Sequence, residues 1–145
     1  MTVTHANTDA DALVLVDGDD VPLGTAPKLD VHRDGRLHRA VSVLLFDDDG
    51  RVLLQRRAAA KYHSAGLWAN TACGHPRPGE TVLDAARRRL RAEMGIDAPA
   101  LTVAGRFVYR AQLDAGLVEH ELDHVVVGRW SGMPNPDAGE VSSWD

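Results

Sequence analysis

Between residues 81 and 94 apolar side chains recur at every fourth position, Val82, Ala86, Leu90 and Met94, opposite an arginine-rich face, and the run stops at Gly95. That period is helical, and a glycine just past the last apolar residue suits a left-handed helix end. It is the one clear helix in the chain. Around it the patterning is that of strands. Residues 13–16 read as a short strand closed by the turn Asp17-Gly18-Asp19-Asp20, with residues 21–24 pairing back onto it. Residues 38–46 and 51–57 flank Asp47-Asp48-Asp49-Gly50 and read as a hairpin, and residues 101–111 and 118–130 read as a second one around Asp114-Ala115-Gly116. Residues 67–72 are a further strand candidate. One helix set among hairpins predicts an α/β (α+β) fold built on a mixed β-sheet.

The chain has 145 residues, the length of a single domain, and 44% of them are hydrophobic, enough for one core. Its longest apolar runs fall far short of the roughly 20 residues of a membrane span, so no membrane partner is expected. Residues 1–11 are polar and read as flexible, with no positive charge before the first apolar run, unlike a secretory signal. A single cysteine, Cys73, makes no intramolecular disulfide, which points to a cytoplasmic address. The 21 acidic residues outnumber the 16 basic ones, arguing against a nucleic-acid partner but leaving room for a local basic pocket.

The stretch GHPRPGETVLDAARRRLRAEMGI, from Gly74 to Ile96, resembles the Nudix box. The matching positions are Gly74, Glu80, Arg88, Glu93, Gly95 and Ile96, and the resemblance implies a Nudix-like fold. Nudix hydrolases carry further glutamates in the helix, where this chain has Arg89 and Ala92. Hydrolysis of a diphosphate needs several magnesium ions on clustered carboxylates, so this box is poor in ligands for that chemistry. Glu80 and Arg88 are expected to pair within the box.

The segments PKLDVHRDGRLHRA, QRRAAAKYHSAGLWANTACGHP, FVYRA and VEHELDH together resemble the type I isopentenyl-diphosphate isomerases, a Nudix-fold family that does not hydrolyse its substrate. The resemblance runs from about residue 12 to residue 130. It implies one divalent transition-type metal, Mn or Zn, held by His32, His38, His75, Glu119 and Glu121. Imidazole and carboxylate donors suit such an ion, and Glu119 and Glu121, two apart on a strand, share a face. It further implies a magnesium ion that bridges the diphosphate to Glu93.

The family's reaction moves a double bond: one group protonates the terminal alkene carbon and another removes a proton from the carbon beside the oxygen-bearing one. The matching residues are Cys73 and Glu121, with the Tyr109 hydroxyl assisting. Cys73 could serve as a thiolate favoured by nearby cations or as a neutral thiol that donates a proton. Lys28, Arg57, Lys61 and Arg89 match the positions that grip the diphosphate, the arginines through a planar fork and the lysines as point charges. The family domain continues beyond the position of Asp145 into a helix-rich tail that supplies an aromatic over the carbocation. Trp68 is a second candidate for that part.

The expected partner is a small isoprenoid diphosphate, and the expected assembly a monomer or weak dimer. Two other readings stay open at this point: a Nudix hydrolase of a nucleoside diphosphate derivative, and a non-catalytic domain that binds metal or diphosphate.

Overall fold

The computed structural model describes residues 12–59, 65–97 and 100–145; the stretch 1–11 and Lys61 lie outside them. Strands β1 (Ala12–Val16) and β2 (Pro22–Pro27) pair antiparallel, as the turn between them predicts. Asp17 Oδ1 accepts the amides of Asp19 and Val21 and closes that turn. Helix α1 (Lys28–Asp34) follows directly and corrects the expectation of a single helix. Seven residues give too little period to read: only Val31 and His32 are buried, and Gly35 ends the helix in the left-handed conformation at φ 69°.

Strand β3 (His38–Phe46) is the spine of the molecule. The turn at Asp47–Gly50 reverses the chain, but β4 (Gln55–Arg57) does not continue as its hairpin partner and joins a second sheet instead. The cause is Thr71. Leu53 donates its amide to the Leu45 carbonyl, but the return bond passes through the Thr71 hydroxyl, which accepts from Leu45 N and donates to Leu53 O. Beyond that wedge the edge of β3 is occupied by β6 (Ala72–Gly74). The single strand expected over residues 67–72 is accordingly two: β5 (Trp68–Ala69) lies in the small sheet beside β4, and the chain crosses to the large sheet before β6.

Helix α2 (Val82–Arg89) forms where the four-residue period predicts, with the Thr81 hydroxyl capping it by accepting from Asp84 N at 3.1 Å. It then widens into a π-helical turn, Leu90–Met94. The amides of Asn135 and Asp137 satisfy the carbonyls of Met94 and Glu93, which lets that turn end inside the protein. Gly95 closes it at φ 63°, where a Cβ would stand 2.3 Å from the Asn135 carbonyl oxygen. Leu90 and Met94 are fully buried against Val41, Val43 and Val126, each contributing about 1.5–3 kcal/mol by burial.

Strands β7 (Leu101–Gln112) and β8 (Val118–Arg129) form the second predicted hairpin, and β9 (Val141–Trp144) pairs with β4. The large sheet runs β2-β1-β3-β8-β7 with β6 also on β3, and the small one runs β5-β4-β9. Among the described residues only β3 and β8 pair in parallel, at the centre. Their register sets His38 opposite Glu121, while the β7–β8 register sets Tyr109 opposite the same glutamate. No described helix is long and apolar enough to cross a membrane.

Candidate active site

The parallel register at the sheet centre assembles the first part of the site. His38 from β3, Glu121 from β8, His32 from α1 and His75 just after β6 each bring one ligand atom into a group spanning no more than 4.8 Å. Imidazole centroids lie 5.1–5.9 Å apart. Glu121 Oε2 is 3.1 Å from His75 Nε2 and 3.3 Å from His38 Nε2. The backbone sets two of the tautomers. His32 Nδ1 donates to the Lys28 carbonyl at 2.8 Å and His38 Nδ1 to the Arg36 carbonyl at 2.9 Å, so in the neutral rings Nε2 carries the lone pair.

Burial pushes the His75 imidazole down to about 4 and that of His32 below its usual range. Burial works against ionising Glu121, but the polar groups of His38, His75 and Tyr109 beside it outweigh that and hold the carboxyl well below the usual range. Imidazoles around an ionised carboxylate are the donor set of a borderline divalent ion, and the buried His38 Nε2 makes no good hydrogen bond within the protein. These residues fit a metal.

Glu119 stands beside this group and outside it. It lines the same cavity, and its carboxyl is raised to about 7 by burial and by the neighbouring Glu121 charge. Glu93 is also outside the group.

The cavity, about 630 Å³, opens in front of the histidine group and is of the size that holds small ligands. Tyr109 and Cys73 both line it. The Tyr109 hydroxyl donates to Glu121 Oε1 at 2.5 Å, and burial together with the Glu121 charge pushes its pKa far up. Cys73 is pushed up to about 12 by burial and by the Glu93, Asp123 and Glu121 carboxylates. Of the two forms open to it in the sequence, the fold favours the neutral thiol.

Three polar neighbours escaped the sequence reading. Asn70 Nδ2 donates to Cys73 Sγ at 3.8 Å, Ser42 lies directly across the β3–β6 ladder from Cys73, and the Ser42 hydroxyl donates to Asp123 Oδ2 at 2.6 Å. Asp123 was legible in one respect: it continues the same-face row Glu119, Glu121, Asp123 on β8.

Lys28, Arg57 and Arg89 line the cavity, as does Trp68 at its exposed side. Arg88 also lines the cavity, but its guanidinium is engaged within the box. It grips Glu80 through two bonds of 2.9 Å and the His75 carbonyl through a third of 2.9 Å, the pairing within the box that the sequence predicts. Arg89 is engaged with Glu93, its Nε donating to Oε2 at 2.9 Å, and lies 3.6 Å from a Glu140 oxygen. Glu93 is buried and also accepts from Gln55 Nε2 at 2.7 Å.

Residues 36–145 match the NUDIX domain family. The chain is 53% identical over 136 residues to Isopentenyl-diphosphate Delta-isomerase 2 of Aromatoleum aromaticum, covering 92% of this chain and 71% of that relative. It is 53% identical over 132 residues to the Isopentenyl-diphosphate Delta-isomerase of Burkholderia multivorans, covering 91% and 74%. Among solved structures, DR0079 from Deinococcus radiodurans superposes with a TM-score of 0.75 at 20% identity, over 92% of this chain and 81% of that one. A MutT NUDIX hydrolase from Burkholderia pseudomallei gives 0.62 at 22% identity, over 76% and 81%. At those identities the structures speak for the Nudix fold alone. The sequence relatives speak for more: over nearly its whole length this Nudix-fold chain belongs to the isopentenyl-diphosphate Delta-isomerase family.

Proposed function

We propose that the protein interconverts isopentenyl diphosphate and dimethylallyl diphosphate in the supply of isoprenoid precursors. The observation that carries this reading is the cavity that brings the Cys73 thiol, the Glu121 carboxyl and the Tyr109 hydroxyl together, with burial favouring a neutral Cys73 thiol and the surrounding polar groups favouring an ionised Glu121. Cys73 protonates the terminal alkene carbon, leaving a tertiary carbocation. Glu121 then removes a proton from the carbon next to the oxygen-bearing one, and the Tyr109 hydroxyl steadies the carboxylate through its hydrogen bond. Each turnover leaves Cys73 one proton short and Glu121 one proton over, and the solvent returns a proton to the thiolate and takes one from the carboxyl.

Lys28, Arg57 and Arg89 orient the diphosphate, with Lys61 as a fourth cation, and Trp68 offers an indole face toward the cationic intermediate. His32, His38, His75 and Glu121 would hold one Mn or Zn ion, with Glu119 available beside them, and such an ion would supply a fixed positive charge that keeps Glu121 ionised and in place. Glu93 would meet a magnesium ion carried by the diphosphate. An isomerase relying on a free thiol suits the reducing cytoplasm.

Hydrolysis is the weaker reading, because Arg89 and Ala92 stand where a hydrolase's further glutamates would be, and Arg89 already occupies Glu93. Incubation with isopentenyl diphosphate, Mg²⁺ and Mn²⁺, followed by proton and phosphorus NMR, separates the two. The allylic isomer with an intact diphosphate is expected; release of phosphate or pyrophosphate would contradict the assignment.

A further inference from the structure

Glu93 presents an electrostatic difficulty that the fold resolves in an unusual place. Its side chain is 5% exposed, on a π-helical turn packed into the core. An ionised carboxylate at such a position needs a cation, and Arg89, one helical turn earlier, supplies it through the 2.9 Å bond from Nε. The same guanidinium lies 3.6 Å from Glu140, which approaches from the segment before β9, so two carboxylates from separate elements hold it, and all three residues line the cavity. Its stem is pinned as well: a Cβ on Gly74 would lie 2.6 Å from Arg89 Cγ and 2.9 Å from Cδ. The arginine therefore runs flat against the backbone between Cys73 and His75, with its head beside the two carboxylates in the lining of the cavity.

We infer that Arg89 is the resident counter-ion of Glu93 and changes partner when a divalent cation arrives with a diphosphate. Glu93 exchanges a guanidinium for the cation, and Arg89 turns to the diphosphate oxygens. Cation and diphosphate binding are thereby coupled through one side chain: a cation alone must displace Arg89 with nothing to receive it, and a diphosphate alone finds Arg89 already engaged. This rests on the reading of the cavity as a site for a diphosphate carried with a divalent ion.

The test uses the chain loaded with one equivalent of Zn²⁺ to fill the histidine group, and needs no turnover. Titration with Mn²⁺ alone, followed by electron paramagnetic resonance, should show second-site affinity about tenfold tighter in Arg89→Gln than in the unaltered chain, within the roughly 5–150-fold range of ordinary site coupling. Glu93→Gln should abolish that second site in either background. Calorimetric titration with inorganic pyrophosphate should show Arg89→Gln losing about tenfold in affinity when Mg²⁺ is present and under about threefold when it is absent. Should the Gln variant fail to fold, Arg89→Lys, which keeps the charge and loses the fork, should move both quantities the same way by smaller factors.

Unchanged or weakened Mn²⁺ affinity overturns the exchange. So does an equal cost of the substitution with and without Mg²⁺, which a fixed diphosphate ligand would give, and so does the lack of any second-site binding even with pyrophosphate present. Turnover of isopentenyl diphosphate by the same preparations is scored separately. A chain that shows the coupling without isomerising its substrate would leave the exchange standing and remove the proposed function.

Discussion

Two carboxylates of this site, Glu121 and Glu93, are both buried, and the protein compensates them in different ways. Glu121 meets the imidazoles of His38 and His75 and the Tyr109 hydroxyl. Glu93 meets the guanidinium of Arg89 and the amide of Gln55. The first arrangement is a donor set assembled from four parts of the chain. The second is already paired with the protein's own cation. Under the proposed function the contrast separates a resident ion from one that arrives with the substrate.

Glu121→Gln should have the largest effect, because it removes both a metal donor and the proposed base. Isomerisation should fall by more than the roughly 10²–10⁴-fold of a single acid or base, and metal analysis should show lost or weakened occupancy. Full metal content in this variant would place the resident ion elsewhere and erase the contrast. Cys73→Ala should lose about 10²–10⁴-fold in turnover while retaining the metal, since the thiol is outside the histidine group. Near-normal turnover in that variant would mean that another group donates the proton.

Glu119 sharpens the comparison through pH. Its carboxyl is raised to about 7 in the folded protein by burial and by Glu121, against about 4.5 for an exposed glutamate. Ionising it therefore penalises the folded state, increasingly as pH rises from about 4.5 through 7, and a glutamine escapes that penalty. Metal-free Glu119→Gln should be more stable than the unaltered chain at pH 8, by about 1–3 kcal/mol, with the difference vanishing near pH 4. With the metal bound the order should reverse if Glu119 closes the coordination shell. Thermal unfolding at both pH values, with and without Mn²⁺, reads the sign directly, and an unchanged order on metal addition would leave Glu119 outside the shell.

Much of this was legible in the sequence, for reasons that differ by region. The β7–β8 hairpin and the helix through Met94 depend on local period and turn chemistry, which residues 81–130 carry on their face. The box pair Glu80 and Arg88 was legible for the same reason. The departures arise from distant partners. Thr71 breaks a hairpin whose local pattern was sound, and the Asn135 and Asp137 amides support a π-helical turn that reads as ordinary helix. The histidines are 37 to 43 positions from His75, so only the pairing of β3 with β6 and β8 brings them together; spacing alone could name them but not join them. Asn70, Ser42 and Asp123 read as ordinary polar strand and loop residues until the ladder sets them around Cys73.

In the proposed reaction Cys73 gives an exchangeable proton to an alkene in a cavity where the diphosphate stays intact. The most direct measurement is turnover of isopentenyl diphosphate in deuterated water by the metal-loaded chain, with the product read by NMR. Dimethylallyl diphosphate should form with deuterium in its methyl group, and Cys73→Ala should form it at a rate lower by at least about 10²-fold. Allylic product free of deuterium, or cleavage of the diphosphate in place of isomerisation, would contradict the account.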